Sequence, residues 1–63
     1  MKIVTQYNYE NSWKATSEEE LLRIIKEEVG VLGAEGTLEY VKESCEKGKI
    51  ITVGTCRFKK EDN

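Results

Sequence analysis

Cys56 stands directly before Arg57, and a cation within reach of a thiol lowers its pKa and raises the share present as nucleophilic thiolate. The stretch GKIITVGTCRFKK, Gly48 to Lys60, is therefore the first to test for chemistry. Neighbours on a strand point to opposite faces, so in a strand Arg57 projects away from Cys56 and the pair comes apart. Cys45 and Cys56 then read as small buried hydrophobes. The chain has no histidine, so it cannot by itself assemble a Cys/His zinc site, a Ser-His-Asp triad or a Cys-His pair. Glu18-Glu19-Glu20 gathers three carboxylates, but general acid–base work needs two carboxylates in divergent environments within a cleft, and these three sit on the first turn of a helix. No catalytic residue, no cofactor site and no metal site is read from the sequence, and the expectation is a protein that is not an enzyme.

Binding chemistry is better represented. Tyr7, Tyr9, Trp13 and Phe58 supply rings, and Lys14, Arg57, Lys59 and Lys60 supply cations. Rings with cations form the stacking surface of a single-strand nucleic-acid binder, and Tyr, Trp and Arg also anchor protein interfaces. The protein interface is the preferred reading, with Tyr7, Tyr9, Trp13, Arg57, Phe58 and Lys59 as candidate partner-binding residues; single-stranded nucleic acid is the alternative. GVLGAEG, residues 30–36, is glycine-rich but lacks the dinucleotide fingerprint and the lysine-serine ending of a phosphate-binding loop. Helix, Gly30-Val31-Leu32-Gly33, helix, framed by strands, resembles the GXXG loop of the K-homology RNA-binding domain, loosely over residues 20–58. That resemblance implies a loop that clamps a nucleic-acid backbone. Here the loop interior Val31-Leu32 carries no cation, Glu35 is acidic, and Gly36 stands where the family has isoleucine.

These residues need elements to hold them. Lys2 to Tyr9 alternates, with Ile3, Thr5, Tyr7 and Tyr9 on one face, as a strand does. Glu10-Asn11-Ser12 reads as a turn, after which Trp13-Lys14-Ala15 forms a short second strand or leads into a helix. Ser17 and Glu20 have the spacing of a capping box, and the acidic first turn suits the helix dipole. Leu21, Leu22, Ile24, Ile25 and Val29 form an apolar arc, Glu19–Arg23 and Arg23–Glu27 are outward pairs, and Gly30 is the left-handed stop. Thr37 is placed to cap a second helix carrying Leu38, Val41 and Cys45 inward and the pairs Lys42–Glu46 and Glu43–Lys47 outward, ending at Gly48.

Lys49 to Phe58 reads as one last strand, with Ile51, Val53, Thr55 and Arg57 on one face and Ile50, Thr52, Gly54, Cys56 and Phe58 on the other. The predicted fold is α+β: a β(β)ααβ domain over residues 1–60, two antiparallel helices on one face of a two- or three-stranded sheet, with 61–63 a frayed charged tail. Two short helices cover one sheet face. The other, or the edge of the last strand, is left for a second copy or a partner.

Sixty-three residues make one domain, and a chain this short buries about 60% of its unfolded surface, so help from a partner is in keeping with its size. Ten basic against twelve acidic residues give −2, too weak a field to recruit nucleic acid or an anionic membrane in bulk. Residues 1–36 sum to −3 and residues 37–63 to +1. No apolar run approaches a membrane span and the N-terminus has no signal-like apolar region, so the expected location is the cytoplasm. The composition has the general look of short bacterial or bacteriophage proteins. The expected function is a small protein-binding regulator, inhibitor or accessory subunit acting as a homodimer.

Overall fold

A computed structural model describes residues 2–61. The elements run β1 (Ile3–Tyr7), β2 (Lys14–Thr16), α1 (Glu18–Val29), α2 (Val31–Glu46), β3 (Ile51–Val53) and β4 (Cys56–Lys60). The strands form one antiparallel sheet in the order β2-β1-β4-β3, against which the two helices pack. The domain is α+β as the pattern predicts, with four strands where two or three were expected. Lys14-Ala15 does form the short second strand, extended by Thr16, while Trp13 lies just ahead of it.

The extra strand comes from the turn Gly54-Thr55, which splits the predicted Lys49–Phe58 strand into β3 and β4. Gly54 takes φ 59, and glycine at the first central position of a two-residue loop is what a type II′ hairpin turn requires. The split changes which residues share a face. Across a two-residue hairpin Val53 pairs with Cys56 and Ile51 with Phe58, and directly opposed residues lie on the same side of the sheet. Ile51, Val53, Cys56 and Phe58 therefore all face the helices, and Thr52, Arg57 and Lys59 face away. The expected apolar residues on both faces of one last strand are corrected accordingly: the hairpin gathers the grease on the inner side.

The capping box at Ser17 is present in both directions, with the Glu20 amide donating to Ser17 Oγ at 3.2 Å. Leu21, Ile24 and Ile25 are buried and Leu22 packs against the core from its margin, while Arg23 pairs with Glu27 at 3.1 Å as predicted. Gly30, at φ 86, closes α1 by donating its amide to the Lys26 carbonyl at 2.9 Å.

The second helix differs from expectation. It begins at Val31 with Gly30 as its cap, so the predicted loop of residues 31–36 and the Thr37 cap are both replaced by helix. Glycine weakens a helix interior by about 1 kcal/mol relative to alanine, but Ala34 is completely buried in the core cluster and continues the spacing of Leu38, Val41 and Cys45. Burial of that face outweighs the local cost of Gly33 and Gly36. The GXXG loop of the K-homology comparison is thereby absent, since Val31, Leu32 and Gly33 are helical. Lys42 also departs from its predicted partner Glu46 and pairs with Glu18 across the helical hairpin at 2.6 Å. Lys47 caps the C-terminus of α2, and Glu43–Lys47 is not among the three ion pairs of the described residues.

Phe58, Leu21, Ile25, Val41, Cys45 and Cys56 are the largest fully buried side chains. Glu61, expected to fray, donates its amide to the Lys2 carbonyl at 2.9 Å and prolongs the β1–β4 ladder; Asp62 and Asn63 lie outside the described residues.

Candidate functional site

The six predicted partner-binding residues fall into three places. Phe58 leaves the set: it is fully buried on the inner face, opposite Thr5 and Ile51. Tyr7 and Tyr9 stack on each other with ring centroids 5.5 Å apart and planes 20° apart, Tyr7 partly buried and Tyr9 open to solvent. Burial pushes the Tyr7 phenol above its ordinary pKa. Trp13, Arg57 and Lys59 come together on the outer face, where the helices do not reach.

That outer group is built by register. Arg57 lies opposite Gln6 and Thr52, Lys59 opposite Val4, and Val4 opposite Ala15. Trp13 shares the parity of Ala15, which brings its ring over the same rows. The Arg57 guanidinium carbon is 5.6 Å and the Lys59 ammonium 4.6 Å from the indole centroid, both within cation–π reach. Arg57 also donates to Gln6 Oε1. Val4 and Gln6 are buried although both helices lie on the other side of the sheet. Their cover comes from neighbours on the same face, Trp13 and the long Arg57 and Lys59 side chains. The outer face is therefore a ring held among cations, not the bare apolar layer predicted.

The two cysteines serve the core. Both are free and completely buried, and burial raises both thiols above their ordinary pKa, with the Glu28 carboxylate adding to the rise at Cys56. Cys56 faces inward and Arg57 outward, as the strand geometry requires, and the Cys56 thiol lies 3.7 Å from Glu28 Oε1. Native protein should thus leave both thiols unmodified by an excess of a chromogenic disulfide reagent over minutes, and unfolded protein should release two equivalents. A fast native equivalent would contradict the burial.

No motif or periodicity singles out Glu28. From the end of α1 its Oε1 accepts from the Thr55 hydroxyl at 2.7 Å and the Thr55 amide at 3.4 Å, clasping the β3–β4 turn to the helix. The Thr55 hydroxyl bond holds the Glu28 carboxyl below its ordinary pKa. A groove between the β1–β2 hairpin and α1 is lined by Thr5, Tyr7, Glu10, Lys14, Arg23 and Ile24. Within it Thr5 pairs with Thr16 at 2.6 Å and Glu10 with Lys14 at 2.9 Å. The Lys14 hydrogen bond lowers the Glu10 pKa, and the same bond raises that of Lys14.

Charge divides between the layers. Residues 18–47, the helical layer, hold nine acidic and four basic side chains, a net of −5; the remaining residues hold three acidic and six basic, a net of +3. Trp13 is the one tryptophan of the chain, so its emission reports on this face alone. Relative to free tryptophan amide, iodide quenching should be favoured over caesium quenching, because Arg57 and Lys59 concentrate anions around the ring. The net charge of −2 predicts the reverse shift, so a ratio displaced toward caesium would contradict the placement. No helix of the described residues is long and apolar enough to cross a membrane. No protein-family model matches the chain, and no curated protein or solved structure matches it significantly.

Proposed function

We propose that this domain is a non-enzymatic protein-binding module, acting as a regulator, inhibitor or accessory subunit, and that it docks through the outer face of its sheet. The observation that carries the reading is the half-buried Trp13 ring held beside Arg57 and Lys59. Trp and Arg are the residue types that dominate binding energy at protein interfaces, chiefly when they stand together in a patch that a partner desolvates. Thr52 flanks them with an exposed polar group suited to an interface rim.

The same ring and cations favour single-stranded nucleic acid as the second reading. The charge distribution weighs against it. A nucleic-acid surface gathers its affinity from many phosphate contacts, whereas this one offers few cations on a domain whose opposite layer is strongly acidic.

The test is comparative capture. Immobilised wild-type chain is expected to retain a protein from the source cell's extract that Trp13→Ala and Arg57→Gln/Lys59→Gln both lose and that Lys26→Gln, on the helical layer, keeps. All variants should first show wild-type circular dichroism. Retention of a thymidine oligonucleotide at low salt, lost in the same face variants, transfers the site to the second reading. Equal capture by wild type and face variants removes the outer face from the function.

A further inference from the structure

The solvent side of α2 carries the chemistry that the outer sheet face would attract. Glu35, Glu39, Glu43 and Glu46 are exposed along it, and Leu32 and Tyr40 stand among them, 104% and 59% exposed. At 100° per residue this row is centred roughly opposite Ala34, Val41 and Cys45, which are buried in the core shared with α1 and the strands. None of the four carboxylates belongs to the three ion pairs of the described residues. The domain therefore has two poles pointing in opposite directions. One is acidic with an exposed leucine and tyrosine, and the other is basic with a tryptophan; among the described residues of the latter face, by strand register, Lys2, Arg57 and Lys59 outnumber Glu61.

We propose that a second copy of this chain docks the acidic side of its α2 on the outer sheet face, Glu39 and Glu43 meeting Arg57 and Lys59 while Leu32 and Tyr40 reach the Trp13 ring. The inference rests on the reading that the outer face docks protein. The dimensions agree: Leu32 to Glu46 spans about 21 Å at helical rise, and a five-residue strand spans about 17 Å. Because the two surfaces lie on opposite sides, two copies cannot exchange the contact mutually. It is heterologous and repeats from copy to copy, giving an open stack and not the closed homodimer that the sequence led us to expect. One helix laid on this sheet covers less than the roughly 800 Å² per partner of a stable complex, so the association is weak, and the charges that guide it are screened by salt.

Sedimentation of the whole chain from about 10 μM to about 1 mM tests this. The weight-average mass is expected to climb past twice the 7.2 kDa of one chain at low salt and to fall back toward one chain at about 0.5 M NaCl. Glu39→Gln/Glu43→Gln and Arg57→Gln/Lys59→Gln should each remain monomeric with wild-type circular dichroism. Mixed together, each keeps one working face, so they should form a 1:1 pair that grows no further. A wild-type mass that stays at one chain, or that stops at two, overturns the stack, as does growth indifferent to either pair of substitutions. The docking reading fails separately: a monomeric wild type whose Arg57→Gln/Lys59→Gln variant still loses its captured protein overturns the stack alone.

Discussion

Phe58→Ala should leave the chain unfolded at 25 °C. Phe58 is completely buried at the middle of β4, the strand that joins β1 to β3, and lies opposite Thr5 on one side and Ile51 on the other. Removing a buried phenylalanine costs about 3–5 kcal/mol, part lost transfer energy and part the cavity left behind. A core of this size supplies only about 3–5 kcal/mol in all, so the loss consumes the whole margin. Far-UV circular dichroism and a urea titration check it: the alanine variant should show no cooperative transition, and Phe58→Leu should fold with a lower midpoint. Trp13→Ala is the contrast, since the ring lies outside the core cluster and its removal should preserve the transition. A cooperative, wild-type-like midpoint for Phe58→Ala would mean that Phe58 is not where the core is.

Gly54→Ala should be the most damaging single change outside the core. The left-handed φ of 59 costs an alanine about 1–2 kcal/mol. A Cβ there would also stand 2.7 Å from the Glu28 carboxyl carbon and closer still to Oε2, so the substitution must expel the carboxylate that clasps Thr55. The two contributions separate in a double-mutant cycle. Glu28→Ala abolishes the clasp by itself, and in that background Gly54→Ala should lower the urea midpoint by less than in the wild type, leaving the backbone cost and the 3.3 Å approach to the Cβ of residue 28. Equal losses in both backgrounds would show that Glu28 and Gly54 do not meet.

The elements were legible wherever the interactions that make them lie within a few residues. Ser17 and Glu20 announce α1 because the capping box closes within one turn, and the alternation of Ile3, Thr5 and Tyr7 announces β1. Elsewhere a distant contact overrides the local rule. The Gly33 and Gly36 pattern favours a loop, yet Ala34 is buried by residues of other elements and draws the helix back to Val31. Gly54-Thr55 is a turn signal between two runs of strand formers, and whether the chain turns there decides the face of every residue on one side of it. Ring chemistry marks Phe58 as an interface candidate and a continuous strand sets Arg57 on the face of Ile51 and Val53, whereas the hairpin buries Phe58 with those residues and turns Arg57 outward.

By itself, then, the sequence determined the α+β class, the strand and helix at its N-terminal half, and the want of histidine-based chemistry, because composition and near-neighbour geometry need no knowledge of the rest of the chain. Tertiary structure alone decided which side of the sheet is greasy, that Glu28 reaches Thr55, and that Trp13 meets Arg57 and Lys59 from the far end of the chain. Those outcomes follow from strand register and a two-residue turn, and register is set by which distant partner a strand pairs with, a quantity no local pattern encodes.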